Sequence, residues 1–226
     1  MSSQINAMKE PRGGRAQERT PLDDVKRDNR SSWIILIAIL ASITMTFASF
    51  SSAFVDRIIG GNLMHLDMPQ VLWLSTASIA ISSLFVERAR KSARAMQWDA
   101  ARINLILTVT FGLGFVIGQY AAWQQLLDAG IYMRTNPHSS FFYMLTVLHV
   151  LHVLGGVVWL GVTTGRVLRM KPALRLVVSQ VDLSVSGLSV TEEKEMRLVN
   201  SVSVCATYWH YVGVLWLYLL IMMFFV

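Results

Sequence analysis

An all-α membrane bundle of five transmembrane helices is predicted by three features of this 226-residue sequence. Hydrophobic residues make up 54% of it and charged residues only 15%, a balance foreign to soluble domains. Five uncharged runs are long enough to cross a hydrocarbon core of about 30 Å, which takes about 20 helical residues. The runs are continuous and do not alternate, so the backbone must satisfy its hydrogen bonds as helices and not as a barrel.

The elements follow in order. Residues 1–30 read as a disordered cytoplasmic tail, with Gly13-Gly14, Pro11, Pro21 and mixed charge among few apolar residues. Lys26 to Arg30 would sit at the headgroups, and Trp33 would anchor the first span, Trp33–Val55, of a membrane domain covering 31–226. After "DRIIGGNLMHLDMP", Pro69 suits the first turn of the short second span, Pro69–Val86. "ERARKSARAMQWDAAR" is basic and amphipathic, and is expected to stay helical up to the third span, Ile103–Leu127. Gly130 closes that helix, and Pro137 opens the fourth span, Ser140–Gly165. In the long loop at 166–200, "VVSQVDLSVSGLSV" reads as a mobile insert more readily than as a hairpin. Ser189, three residues before Glu192, has capping-box spacing. A helix starting there would run into the fifth span, Val202–Val226.

The net charge of +6 is a topology signal. With these spans, 18 Lys and Arg lie on one side of the membrane and only Arg57 and Arg134 on the other. That places the amino terminus in the cytoplasm and Val226 outside. It leaves a modest attraction to anionic headgroups and no case for nucleic acid. A cleavable signal peptide is not expected, because the first apolar run starts late and is too long. The single Cys205 excludes an internal disulfide and a cysteine cluster.

No Asp, Glu, Lys or Arg stands within the five runs, which argues against an ion or proton route through this chain alone. His149, His152 and His210 remain, with Asn104, Gln119, Gln124 and Gln125. Imidazoles from two helices can hold haem iron, and three can hold a metal. Yet His149 and His152 are one turn apart, and no carboxylate is near them in sequence to orient such ligands. The structural reading is favoured: neutral histidines as interhelical ties, with Gly114, Gly118, Gly155, Gly156, Gly161 and Gly165 letting helices approach. Trp98, Trp123, Trp159, Trp209, Trp216 and Tyr218 read mostly as an interfacial belt. The cluster of Tyr208, Trp209, His210 and Tyr211 is denser than a belt needs.

"FFYMLTVLHVLHVLGG" followed by "TYWHYVGVLWLYLL" resembles subunit III of the haem–copper oxidases, in its five-helix form. The first motif is carried by Phe141, Phe142, Leu145, Thr146, His149, His152 and Gly156, and the second by Tyr208, Trp209, His210, Tyr211 and Trp216. The resemblance implies a non-redox accessory subunit, without haem, copper or catalytic residues of its own. Its partners would be the haem- and copper-bearing catalytic subunit, other oxidase or supercomplex subunits, and phospholipid, in a bacterial inner membrane. It implies structural roles for His149, His152, His210, Tyr208 and Trp209, while Arg88, Arg102 and Trp98 are the candidates for lipid contact. Two alternatives stand beside it: the five-helix partner of a nitric oxide reductase, and an independent membrane haem protein. One departure is plain. Ile43 follows Ser42 where five-helix members usually carry a buried Glu.

Overall fold

The computed structural model describes residues 21–59, 70–133, 137–169 and 190–225, all helical apart from turns and helix ends. Five helices follow in order: α1 (Pro21–Ile59), α2 (Val71–Arg94), α3 (Trp98–Asp128), α4 (Pro137–Leu168) and α5 (Val190–Phe225). Each is long and apolar enough to cross a membrane. Pro69, Ser189 and the 170–189 insert, together with the tail before Pro21, lie outside the described residues.

All five helices exceed the spans read from hydropathy, α1 and α5 by the most. At about 1.5 Å per residue, the 39 residues of α1 and the 36 of α5 reach well beyond a bilayer core. Residues 21–30, read above as part of a tail, are helical. They pair with the first turns of α5, where Arg197 bridges Asp28 and Glu193. Nearby, Trp33 Nε1 donates to Asn200 Oδ1 at 3.0 Å. Hydropathy detects lipid-facing surface, and these polar turns are held by each other. We call this the basic end of the bundle.

Tight turns set the other pairings. Helix α2 continues through the basic stretch to Arg94, and only Ala95–Gln97 separate it from α3. Gln97 N–H donates to Ser92 O and Met96 N–H to Ala93 O, a Schellman turn with Met96 in the left-handed region at φ 57°. No Gly or Pro announces this corner. Gly130, at φ 76°, makes the same turn after α3 and ends it as expected.

The α2–α3 hairpin is drawn together by small residues. Ser78 and Ser82 of α2 donate to the carbonyls of Phe111 and Thr108 at 3.0 and 2.9 Å. A Cβ added at Gly118 would stand 2.8 Å from Ser75 Cβ. Helix α1 packs against α5 and α4. Helix α5 is central: half of its most apolar window is buried, against 22–39% in the others.

The glycines divide into two sets. Gly112, Gly114, Gly118 and Gly156 each have a side chain within about 3 Å of an added Cβ, as close helix approach requires. Gly155, Gly161 and Gly165 meet nothing within 4 Å. The expectation that these three pack helices together inside the bundle is therefore corrected: they face outward on α4.

Candidate functional site

Successive residues of "TYWHYVGVLW" radiate from α5 to all four other helices, because neighbouring positions on a helix point about 100° apart. Tyr208 turns to α4, donating from its hydroxyl to His152 O at 3.0 Å and laying its ring 5.6 Å from Trp159. Trp209 turns to α2, where its Nε1 donates to Ser82 Oγ at 3.1 Å. The same ring fills the notches left by Gly112 of α3 and Gly156 of α4. Tyr211 turns to α1: Thr44 donates to Leu40 O, which leaves its oxygen to accept from the Tyr211 hydroxyl at 2.6 Å. Trp216 donates to Thr76 Oγ1 of α2 at 3.0 Å and lies edge-on to Phe115 of α3.

His210 turns to α2 and finds a carboxylate there. Its Nδ1 is 2.5 Å from Ser83 Oγ, and its Nε2 is 3.5 Å from Glu87 Oε2. Glu87 Oε1 in turn accepts from Arg90 at 2.9 Å. The absence of an orienting carboxylate, read from the sequence near the histidines, does not hold in space for His210. Glu87 is 123 positions away along the chain but one helix away in the fold, so only the α2–α5 pairing could reveal it. We expect His210→Ala to lower the thermal midpoint of the purified protein by an amount equivalent to about 1–2 kcal/mol, given roughly 1 kcal/mol for an interhelical hydrogen bond in lipid. His210→Asn, which keeps an acceptor near Ser83, is expected to recover part of that loss.

His149 and His152 sit on α4 differently from each other. His152 bonds its own helix, Nδ1 to Leu148 O at 2.7 Å, and reaches α5 through its backbone carbonyl. His149 is fully buried, and neither ring nitrogen has a hydrogen-bond partner. It is held by rings: stacked on Trp216 at 5.2 Å, and edge-on to Phe115 at 5.8 Å and Phe47 at 6.4 Å. Phe47 also lies 5.6 Å from His152. Both histidines contact neighbouring helices, but among the described residues neither imidazole makes the hydrogen bond across helices expected from the sequence. The His210 ring does make one.

The distribution of aromatics corrects the belt reading. Trp209 and Trp216 are 1% and 0% exposed and belong to the core. Trp98, a lipid candidate, is also buried, beneath the basic end. Arg102 spans Asp99 at 2.8 Å and Val167 O at 3.3 Å. It places a cation on the carbonyl end of α4, where the helix dipole favours it. Arg88 is exposed, with its guanidinium 5.8 Å over the Phe85 ring. Among the described residues no group of three or more His, Cys, Asp or Glu converges as a metal site would need. His149, His152 and His210 are brought onto neighbouring helices but not onto a common point.

This arrangement defines a class: a five-helix membrane protein bound around its last helix, whose motif residues serve helix contacts. Comparison with known proteins narrows it. No family model matches the chain. Cytochrome c oxidase subunit 3 of Corynebacterium diphtheriae is 27% identical over 198 residues, covering 84% of this chain and 85% of that protein. Cytochrome bo(3) ubiquinol oxidase subunit 3 of Pseudomonas putida is 22% identical over 191 residues, 82% of this chain and 79% of that one. Quinol oxidase subunit 3 of Bacillus subtilis is 24% identical over 188 residues, covering 83% and 81%. The resemblance seen in the two motifs therefore extends along about four-fifths of the chain, at low but consistent identity.

Proposed function

We propose that this chain is the accessory, non-redox subunit of a terminal haem–copper oxidase in aerobic respiration, packed against a catalytic subunit that holds the haems and copper. The observation that supports this reading is that relatives named as subunit 3 of both cytochrome c and quinol oxidases match it over about four-fifths of their length. The hub on α5 supports a stabilising role, since the residues of the two shared motifs are spent on holding five helices in one arrangement. Chemistry would belong to the partner. In this reading the basic end faces the cytoplasm of a bacterial plasma membrane, as the asymmetry of Lys and Arg favours, and further oxidase or supercomplex subunits surround the pair.

Phospholipid binding is the second part of the proposal. Arg88, exposed at the basic end with Lys91 and Arg94, is the best placed headgroup contact. Arg102 is already engaged by Asp99 and Val167, and Trp98 is buried, so both would act by shaping the site beside a headgroup.

Isolation of the chain in mild detergent, with peptide mass spectrometry and a reduced-minus-oxidised spectrum, tests the proposal. The expected result is a co-purifying polytopic partner with haem bands. A partner of the nitric oxide reductase type would establish the alternative, which the missing acidic residues make more plausible than usual. A haem spectrum from the chain alone would overturn both.

A further inference from the structure

We propose that the seam between α2 and α5 binds a membrane hydroquinone, its phenolic head on His210 and Glu87 and its tail along the outer face of α5. This adds a ligand site to a chain read above as a structural subunit. Short distances hold the head site together. His210 Nδ1 is 2.5 Å from Ser83 Oγ, and Glu87 Oε1 accepts from Arg90 at 2.9 Å. These contacts anchor both side chains and leave His210 Nε2 and Glu87 Oε2 at 3.5 Å from each other. That gap is longer than a good N–H···O bond. The two side chains are 35% and 27% exposed, so a small group can reach both atoms from outside the bundle. Glu87 is the first residue after the apolar run of α2, the depth of a lipid's polar head. The tail site continues from there. Val214, Leu217 and Ile221 follow His210 by four, seven and eleven residues, the spacing of one helix face. All three are exposed. They run away from the basic end for about 16 Å, toward the middle of the bilayer.

The chemistry of the head site selects the ligand. Arg90 balances Glu87, and a neutral His210 adds no charge. A phosphate would meet the Glu87 carboxylate, while the neighbouring Arg88 lies over the Phe85 ring. With the Ser83 hydroxyl donating to Nδ1, the imidazole proton stays on Nε2. One donor and one anionic acceptor then stand 3.5 Å apart. A single hydroxyl satisfies both, accepting from Nε2 and donating to Oε2. Hydrogen bonds to a carboxylate are the strong ones, and a phenol, more acidic than an alcohol, donates to it better. A lipid with a phenolic hydroxyl and one long apolar chain is a hydroquinone, and one chain suits a strip one side chain wide.

Photolabelling tests the site in the purified protein with whatever partners co-purify. The probe is a hydroquinone with a diazirine on its alkyl chain, and peptide mass spectrometry locates the label. Because the label is read on this chain, the result does not depend on which catalytic subunit is present. The expected result is label on α5 between Val214 and Ile221, displaced by excess unlabelled hydroquinone and not by phosphatidylglycerol or diacylglycerol. Glu87→Gln should lower it about tenfold, as loss of a hydrogen bond to a charged group does. Val214→Trp should block the strip and leave the thermal midpoint unchanged, since that side chain faces outward. Label absent from α5, label undiminished by Glu87→Gln, or equal displacement by all three lipids would overturn the proposal, the last by showing an unselective apolar face.

Discussion

Trp209→Ala should be among the most damaging single substitutions in this protein, costing about 3–5 kcal/mol, as large-to-small changes of buried aromatics do. Water release between helices is weak in lipid, so packing and hydrogen bonds carry the association. Trp209 concentrates both. Its ring occupies the notches at Gly112 and Gly156, so truncation leaves a cavity bordered by three helices. Its Nε1–H is the donor to Ser82, which itself donates to Thr108 O, so one indole anchors α5 to the α2–α3 hairpin. Neighbouring helices cannot close the gap easily, because glycine notches offer no side chain to move into it. The expected measurement is a loss of folded chain on thermal or detergent unfolding. Trp209→Phe should retain more than half of the lost stability, keeping the ring's bulk without the donor. A Trp209→Ala protein as stable as the parent would show that α5 is not the organising helix.

Gly118→Leu is expected to separate α2 from α3, while Gly155→Ala is expected to be harmless. A Cβ at Gly118 would meet Ser75 Cβ at 2.8 Å and its Cα at 3.5 Å. Backbone-borne atoms cannot swing aside, so the helices must part, and Gln119 Nε2 would lose its 3.0 Å bond to Ser75 Oγ in the process. Overpacking of this kind costs about 1–3 kcal/mol, and the lost hydrogen bond adds to it. At Gly155 nothing lies within 4 Å, so alanine meets no clash. Relief of glycine's helix penalty, about 1 kcal/mol, can even favour it. Midpoints of the purified chain compare the two directly. Equal effects at both positions would contradict the division of the glycines into packed and open sets.

How much of this was legible in the sequence depends on which physical signal each feature leaves. Hydropathy marks lipid-facing helices because every residue there contributes to one sum, so all five were found. Turn chemistry marked Gly130 but missed the Met96 corner, where a non-glycine residue adopts the left-handed conformation. Histidines stood out at positions 149, 152 and 210, yet their partners did not. A single sequence gives the identity of a residue on a helix face and not the helix opposite. Glu87 stood in the sequence only as the first residue of a basic helical stretch, and the pairing of α2 with α5 brought it to His210.

By itself, then, the sequence determined that this is an all-helical membrane protein of five spans, with a marked charge asymmetry and two motifs that resemble those of oxidase subunit III. Those are properties of composition and local order, and each is set within about twenty residues. The tertiary structure decided what the motif residues do. Tyr208, Trp209, His210, Tyr211 and Trp216 take their roles from which helix each direction meets. Likewise Gly112 and Gly156 became sockets for an indole, whereas Gly161 and Gly165 stayed open. The reason is geometric: rotation about α5 assigns each side chain a direction, but only the packing of α1 to α4 around it determines what stands there.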